Sequence, residues 1–300
     1  MTASGMRIET LDLDFGGMAE VIAAFLVFGP EGPVLVETGP GSTLPNLLAR
    51  LAEHGIEPDE IRHVLVTHIH LDHSGAAGWW AQQGANVYVH EVGAPHLVDP
   101  GKLLTSAGRI YGDRMDSLWG ETLPAPAERV VAVGDGAVIE VAGLRFDAIS
   151  TPGHAWHHHV YRLEDVAFVG DATGIRIGAR TWIDLPAPPP EFDLEAWKES
   201  LERLRRESLA TIYRTHFGPT GEVNEQLDRF ETLLDEGAAS VREMLEEGLD
   251  REAMSARFAD LMRLQAEALG VETGAFRAYE LANPRTMSVD GIARYWRKRA

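Results

Sequence analysis

Hydrophobic positions along this chain fall into two regimes. Up to about residue 219, short β-type runs alternate with helical spacings. Strands are predicted at 7–13, 21–28, 34–37 and 63–67, and a helix at 43–54, where Leu44, Leu47, Leu48 and Leu51 recur at helical intervals before Gly55 stops them. The same grammar continues with strands at 87–89, 130–133, 137–141 and 144–149, while 158–163 followed by 166–169 reads as a hairpin. A helical segment at 103–119 interrupts these units, and nothing in its residues states a role. Pro186, Pro188, Pro189 and Pro190 make a stiff, extended loop, because proline fixes φ and turns its predecessor away from helix. Asp193 then caps a helix to about residue 206, and a last strand at 210–213 delivers Thr215 and His216.

Beyond Pro219 the pattern becomes purely helical. Leu227, Phe230, Leu234, Val241 and Leu245 keep helical spacing, and two further helices are predicted at 250–269 and 284–299.

Composition narrows the chemistry. A chain of 300 residues with 45% apolar and 24% charged residues suits one large folded core with an appendage, not a disordered chain. The absence of cysteine removes disulfides, thiolate ligands and a thiol nucleophile together, so any metal has to be held by His and carboxylate. It also fits a reducing compartment. No run approaches the roughly 18 apolar residues of a spanning helix, and no basic stretch followed by an apolar one opens the chain. A cytoplasmic protein without a membrane partner is expected. A formal charge of −19 opposes a phosphate-binding surface, so no nucleic-acid partner is expected either.

The densest chemistry is His68-Ile69-His70-Leu71-Asp72-His73, four candidate ligands in six residues at the end of a β-run. Imidazole and carboxylate suit zinc and related divalent ions, and this spacing lets one loop serve two neighbouring metals. Three further pieces stand at strand ends downstream: Thr151-Pro152-Gly153-His154, Val169-Gly170-Asp171 and Arg214-Thr215-His216-Phe217-Gly218. Each alone is weak; their order behind the first cluster gives them weight.

In that order the motifs resemble those of the metallo-β-lactamase superfamily, over residues 7–219. The resemblance implies an α/β (α+β) fold, a four-layer αββα sandwich with the site at the sheets' common edge. It implies a catalytic domain over 1–219, and a helical C-terminal region, 220–300, that covers the pocket or forms a subunit interface in a homodimer. His68, His70 and His154 are then expected to hold one metal, Asp72, His73 and His216 the second, and Asp171 to bridge both. Two divalent ions are expected, Zn2+ first, with Mn2+ or Fe2+ as alternatives. Ions about 3.5–4 Å apart share a water and lower its pKa. A metal-bridging hydroxide thus attacks the carbonyl of a small-molecule ester, thioester or lactone, with Asp72 orienting it or accepting a proton.

Several residues depart from or extend this pattern. Glu37 stands in a strand-end motif where many family members carry Asp, and is expected to partner a metal-bound His. His158 is expected near the site, with His157 and His159 as polar surface; Trp156, Trp182 and Phe217 are candidate pocket residues. The phrase from Pro188 to Asp193 resembles a subgroup of uncharacterised bacterial hydrolases in the superfamily, and glyoxalase II-like thioesters lead the substrate list. True β-lactamase activity is disfavoured, because Asp171 occupies the bridging position in place of Cys. An iron-dependent oxidoreductase resembling persulfide dioxygenases, and a phosphodiesterase or nuclease, are the alternatives within the superfamily.

Overall fold

Strands β1 (Ile8–Asp12), β2 (Ala23–Gly29), β3 (Gly32–Val36), β4 (His63–Leu65), β5 (Asn86–His90) and β6 (Val130–Val133) form one sheet in chain order in the computed structural model, which describes residues 6–178 and 182–299. Its first three strands are an antiparallel meander, and β3 to β6 run parallel. Strands β7 (Val138–Val141), β8 (Leu144–Ser150), β9 (His159–Leu163), β10 (Val166–Phe168), β11 (Thr211–Arg214) and β12 (Gly218–Thr220) form a second sheet in the same order. All its pairs are antiparallel except β10 with β11.

The sheets pack face to face, which explains the unbroken apolar run at 21–28. On β2, Ala23, Phe25 and Val27 enter the inter-sheet core with Phe146, Tyr161, Phe168 and Tyr213, while Ala24 and Leu26 enter an outer core beneath helices. A strand covered on both faces has no polar side to alternate with.

Helices α1 (Leu44–Glu53), α2 (Leu71–Ser74), α3 (Ala77–Gln82), α4 (Ala94–Val98), α5 (Gly101–Tyr111) and α6 (Met115–Trp119) arise from the first sheet's connections. Leu47 and Leu51 of α1 and Trp80 of α3 are fully buried there. Helix α7 (Leu194–Arg205) is capped by Asp193, whose side chain accepts from Ala196 N at 3.1 Å, and buries Trp197, Leu201 and Leu204. Helices α8 (Val223–Glu246), α9 (Arg251–Ala268), α10 (Thr273–Ala282) and α11 (Arg285–Arg297) complete the chain. The result is the αββα sandwich with helical extension that the motifs implied. Among the described residues, no helix is long and apolar enough to cross a membrane.

Three elements differ from the sequence expectation. The helix expected at 103–119 is broken into α5, a 3-10 turn and α6, because Gly112 adopts φ 53°, outside helical space. Strand β12 was hidden by its shortness and by Pro219, which a sheet edge tolerates. Helix α10 escaped notice between the two longer helices.

The expectation of polar surface for His159 is corrected. It lies on a strand covered from both sides, fully buried, its ring centroid 4.3 Å from that of His90 on β5, with neither ring nitrogen hydrogen-bonded among the described residues. Burial first, and His90 second, push its pKa down to about 3. In the unfolded chain a histidine titrates near about 6.5, so below that pH the unfolded state takes up a proton that the folded state refuses. The stability contributed by the neutral ring is complete above about pH 6.5 and is lost as pH falls toward 3, at about 1.4 kcal/mol per pH unit. His159→Phe keeps the ring and removes the titration. Urea midpoints at pH 7 and pH 5 are therefore expected to lie closer together in the variant than in the wild type; an unchanged separation rejects this account.

Candidate metal centre

The site is assembled from strand ends at one edge of the sandwich. His68 and His70 follow β4, and the single turn of α2 brings Asp72 and His73 back beneath them. His154 follows β8, Asp171 follows β10 and His216 follows β11.

Their side chains converge in two groups. His68 Nε2 and His154 Nε2 each lie 2.9 Å from His70 Nδ1. In the other group, Asp72 Oδ2 is 3.4 Å from His216 Nε2 and 3.8 Å from His73 Nε2. Asp171 stands between them. Its Oδ1 is 3.5 Å from His73 Nε2 and 3.7 Å from His216 Nε2, while its Oδ2 is 3.4 Å from His154 Nε2. Donors about 2.0–2.2 Å from one tetrahedral zinc lie roughly 3.3–3.6 Å from each other; the separations around Asp72 and Asp171 lie close to that spacing, and the two at His70 are shorter. Among the described residues, His73 Nε2, His216 Nε2 and Asp171 Oδ1 are buried with no hydrogen-bond partner, a costly state for polar atoms that coordination relieves. The residues therefore fit divalent ions.

The opposite ring nitrogens are held by the protein. His73 Nδ1 donates to Glu37 Oε1 at 3.1 Å, His154 Nδ1 to the Pro186 carbonyl at 2.8 Å, and His216 Nδ1 to the Val21 carbonyl at 2.6 Å. Thr67 Oγ1 gives its proton to Glu37 Oε1 at 2.5 Å and so accepts from His68 Nδ1 at 3.1 Å. In the neutral ring each bond leaves a bare Nε2 aimed into the cluster, the tautomer a ligand needs. His158 holds the backbone of Asp171. Its Nε2 accepts the Asp171 N–H at 3.2 Å while Nδ1 donates to Thr151 Oγ1 at 2.8 Å. Gly170, at φ 48°, permits that approach, since a Cβ there would sit 2.7 Å from His158 Nε2. Glu37 and His158 thus stand behind the His and Asp cluster.

Electrostatics match a site built for cations. Burial, reinforced by neighbouring imidazoles, holds His68 well below the usual histidine value and His70 down to about 3. Burial likewise lowers His154. Burial also pushes against the charge on Asp72, but His73 and His216 outweigh it and hold Asp72 down to about 2. Asp171 is held well below its ordinary value in the same way, chiefly by His73 and His154. The carboxylates in turn overcome the burial of His73 and raise it well above the ordinary value.

A cavity of about 270 Å³ opens onto His70, Asp72, His154 and Asp171. One wall is the face of α5 carrying Leu103, Ala107, Ile110 and Tyr111; opposite it stand the prolines of the 186–190 loop, with Ala282 and Met287 from the C-terminal region. The expectation of pocket roles for Trp182 and Phe217 is corrected, since neither lines this cavity. Trp182 is buried against Phe276 and Tyr279, and Phe217 packs against the inter-sheet core. Trp156 is exposed beside the loop. His157, expected at the surface, is instead buried on the cavity wall, its Nε2 3.2 Å from Glu191 Oε2. The bulky loop that covers it has no local signal in the histidine run itself.

Comparison with known proteins agrees with the geometry. Residues 18–216 match the model of the metallo-beta-lactamase superfamily, and the chain belongs to that superfamily. It is 26% identical over 188 residues to a metallo-beta-lactamase fold-containing protein of Sulfurisphaera tokodaii, covering 61% of this chain and 68% of that one. It is 30% identical over 187 residues to an atrochrysone carboxyl ACP thioesterase of Aspergillus fumigatus, covering 61% of this chain but only 46% of the fungal protein. In structure it resembles a metallo-beta-lactamase family protein of Thermus thermophilus with a TM-score of 0.71 at 21% identity, over 100% of this chain and 95% of that one.

Glu37→Gln removes the negative charge facing His73 while keeping the side chain's shape. Zinc affinity, measured by competition with a chelator, is expected to fall about 10–100-fold. Wild-type affinity in the variant would show that Glu37 serves only its threonine contacts.

Proposed function

We propose that this protein hydrolyses a small-molecule ester, thioester or lactone at a centre of two divalent metal ions, with zinc the first candidate. The general class, a metal-dependent hydrolase, is supported by superfamily membership and by the His and Asp cluster. The observation that carries the finer reading is Asp171, whose two carboxylate oxygens face two separate sets of imidazole nitrogens. In this reading His68, His70 and His154 would hold one ion, Asp72, His73 and His216 would hold the other, and Asp171 would contribute to both. Ions bound there supply Lewis acidity, making a water nucleophilic near neutral pH and polarising the bond under attack.

The chain's own residues then do the following. Asp72, more open to the cavity than the nearly buried Asp171, accepts the proton of the attacking water as its oxygen bonds to the acyl carbon. When the carbon–sulfur or carbon–oxygen ester bond breaks, that proton passes to the departing thiolate or alkoxide, leaving a carboxylic acid and a thiol or alcohol. Tyr111 offers a donor on the cavity wall. Burial raises its pKa, so it stays a phenol, and among the described residues its hydroxyl donates to the weak acceptor Met287 Sδ at 3.3 Å. The apolar faces of α5 and the proline loop favour an acyl group with a hydrocarbon or aromatic body. The relative named as an acyl-carrier-protein thioesterase supports carbonyl chemistry. The helices after Thr220 contribute to substrate selection through Ala282 and Met287.

The test is a panel of acyl thioesters, p-nitrophenyl esters, lactones, phosphodiesters and β-lactams, offered to protein of measured metal content. Turnover of at least one of the first three classes is expected, abolished by chelation and restored by zinc. Asp72→Asn is expected to lower kcat about 100-fold or more with both ions retained. Activity confined to phosphodiesters, or a single ion at saturation, overturns the reading.

A further inference from the structure

The carbonyl that orients His154 belongs to a segment with little means of holding itself. Pro186, Pro188, Pro189 and Pro190 have no N–H, so this strap cannot be secured by a sheet ladder. Its grip comes from the C-terminal helices about a hundred residues later. The Leu185 carbonyl accepts from Asn283 Nδ2 at 2.9 Å and from Ser288 Oγ at 2.7 Å. Ala187 N donates to the same Ser288 Oγ at 3.3 Å. The peptide groups on either side of Pro186 are therefore clamped, and between them the Pro186 carbonyl meets His154 Nδ1 at 2.8 Å.

Two further contacts make the clamp rigid. Asp184, with no exposed surface, accepts from Asn283 Nδ2 at 2.9 Å and is ion-paired with buried Arg285. The Arg285 guanidinium also stacks over Phe276 at 4.9 Å. At Gly291 helix α11 comes against the strap backbone to backbone, since a Cβ there would lie 2.0 Å from the Ala187 carbonyl oxygen.

We propose that Ser288, Asn283 and Gly291 are positioning residues for the metal centre, acting through the Pro186 carbonyl on His154. Free rotation of the imidazole would turn Nε2 away from His68 and His70. A fixed acceptor at Nδ1 prevents that rotation and selects the tautomer whose Nε2 is bare. The C-terminal helices thereby act on a ligand, and not only on the pocket wall. The inference rests on the metal-centre reading above, and specifically on His154 being a ligand.

The experiment measures zinc binding to the full chain by chelator competition in wild type, Ser288→Ala, Gly291→Ala, His154→Ala and the Ser288→Ala/His154→Ala double variant. Thermal unfolding of each metal-free protein is recorded alongside. Ser288→Ala and Gly291→Ala are expected to lose about 10–100-fold in affinity at one of the two sites, the one that His154→Ala abolishes, with the other site unchanged. In the His154→Ala background, Ser288→Ala is expected to have no further effect on zinc. Cobalt-loaded Ser288→Ala is expected to show an altered visible spectrum at the affected site. Should Gly291→Ala fail to fold, Ser288→Ala, which removes only a hydroxyl, decides the matter alone. Wild-type affinities in Ser288→Ala, with or without a lower melting temperature, overturn the inference and leave the metal centre standing. Equal losses at both sites, or a loss that persists without His154, overturn it as well. A wild-type protein that binds no zinc overturns the metal-centre reading and this inference with it.

Discussion

A single carboxylate with no exposed surface ties the catalytic edge together. Glu37 accepts from the Thr67 backbone N–H and hydroxyl, from the Thr215 hydroxyl and from His73 Nδ1. Those four donors come from the loops after β4 and β11 and from α2, so one charge links ligand-bearing segments of both sheets. Burying such a charge is tolerable only when every partner is in place. The backbone shows the same demand, because Glu37 sits at φ 65°, a region that side-chain-bearing residues rarely occupy. The two sheets, their shared core and the helices outside them bring these segments within reach of one another.

Much of this was legible in the sequence where information is local. The run from His68 to His73 points to metal chemistry by itself, because four candidate ligands in six residues have few other uses. The residues at 154, 171 and 216 gained meaning from their order at strand ends, and the structure brings them to the same edge. What stayed hidden depended on distant chain. The alternation of His157, His158 and His159 shows that they point to different faces. It cannot show that His157 meets Glu191 beyond the proline loop, or that His159 meets His90 of β5. Asn283 and Ser288 have no pattern of their own linking them to Pro186. The pocket wall formed by α5 was visible as a helix but not as a wall.

The division of labour around the cavity follows from this. The His and Asp cluster sits on short loops fixed by the sheets, whereas the apolar walls of the cavity come from α5, the proline strap and the helices after Thr220. Chemistry and selection are therefore carried by different parts of the chain, as expected when a fold common to many reactions is adapted at its rim.

The three consecutive histidines have a consequence for how β9 finds its place. Sliding a strand by one residue exchanges its faces, and across His157, His158 and His159 such a slip still offers an imidazole behind Asp171. The ligand end of β9 is thus degenerate and cannot specify its own register. Tyr161 can. Its hydroxyl crosses the sandwich to the Val66 and Tyr88 carbonyls at 3.1 and 3.2 Å, and its ring fills the inter-sheet core. The identity of the histidine that steadies Asp171 is decided three residues away, by a phenol on the opposite face of the strand.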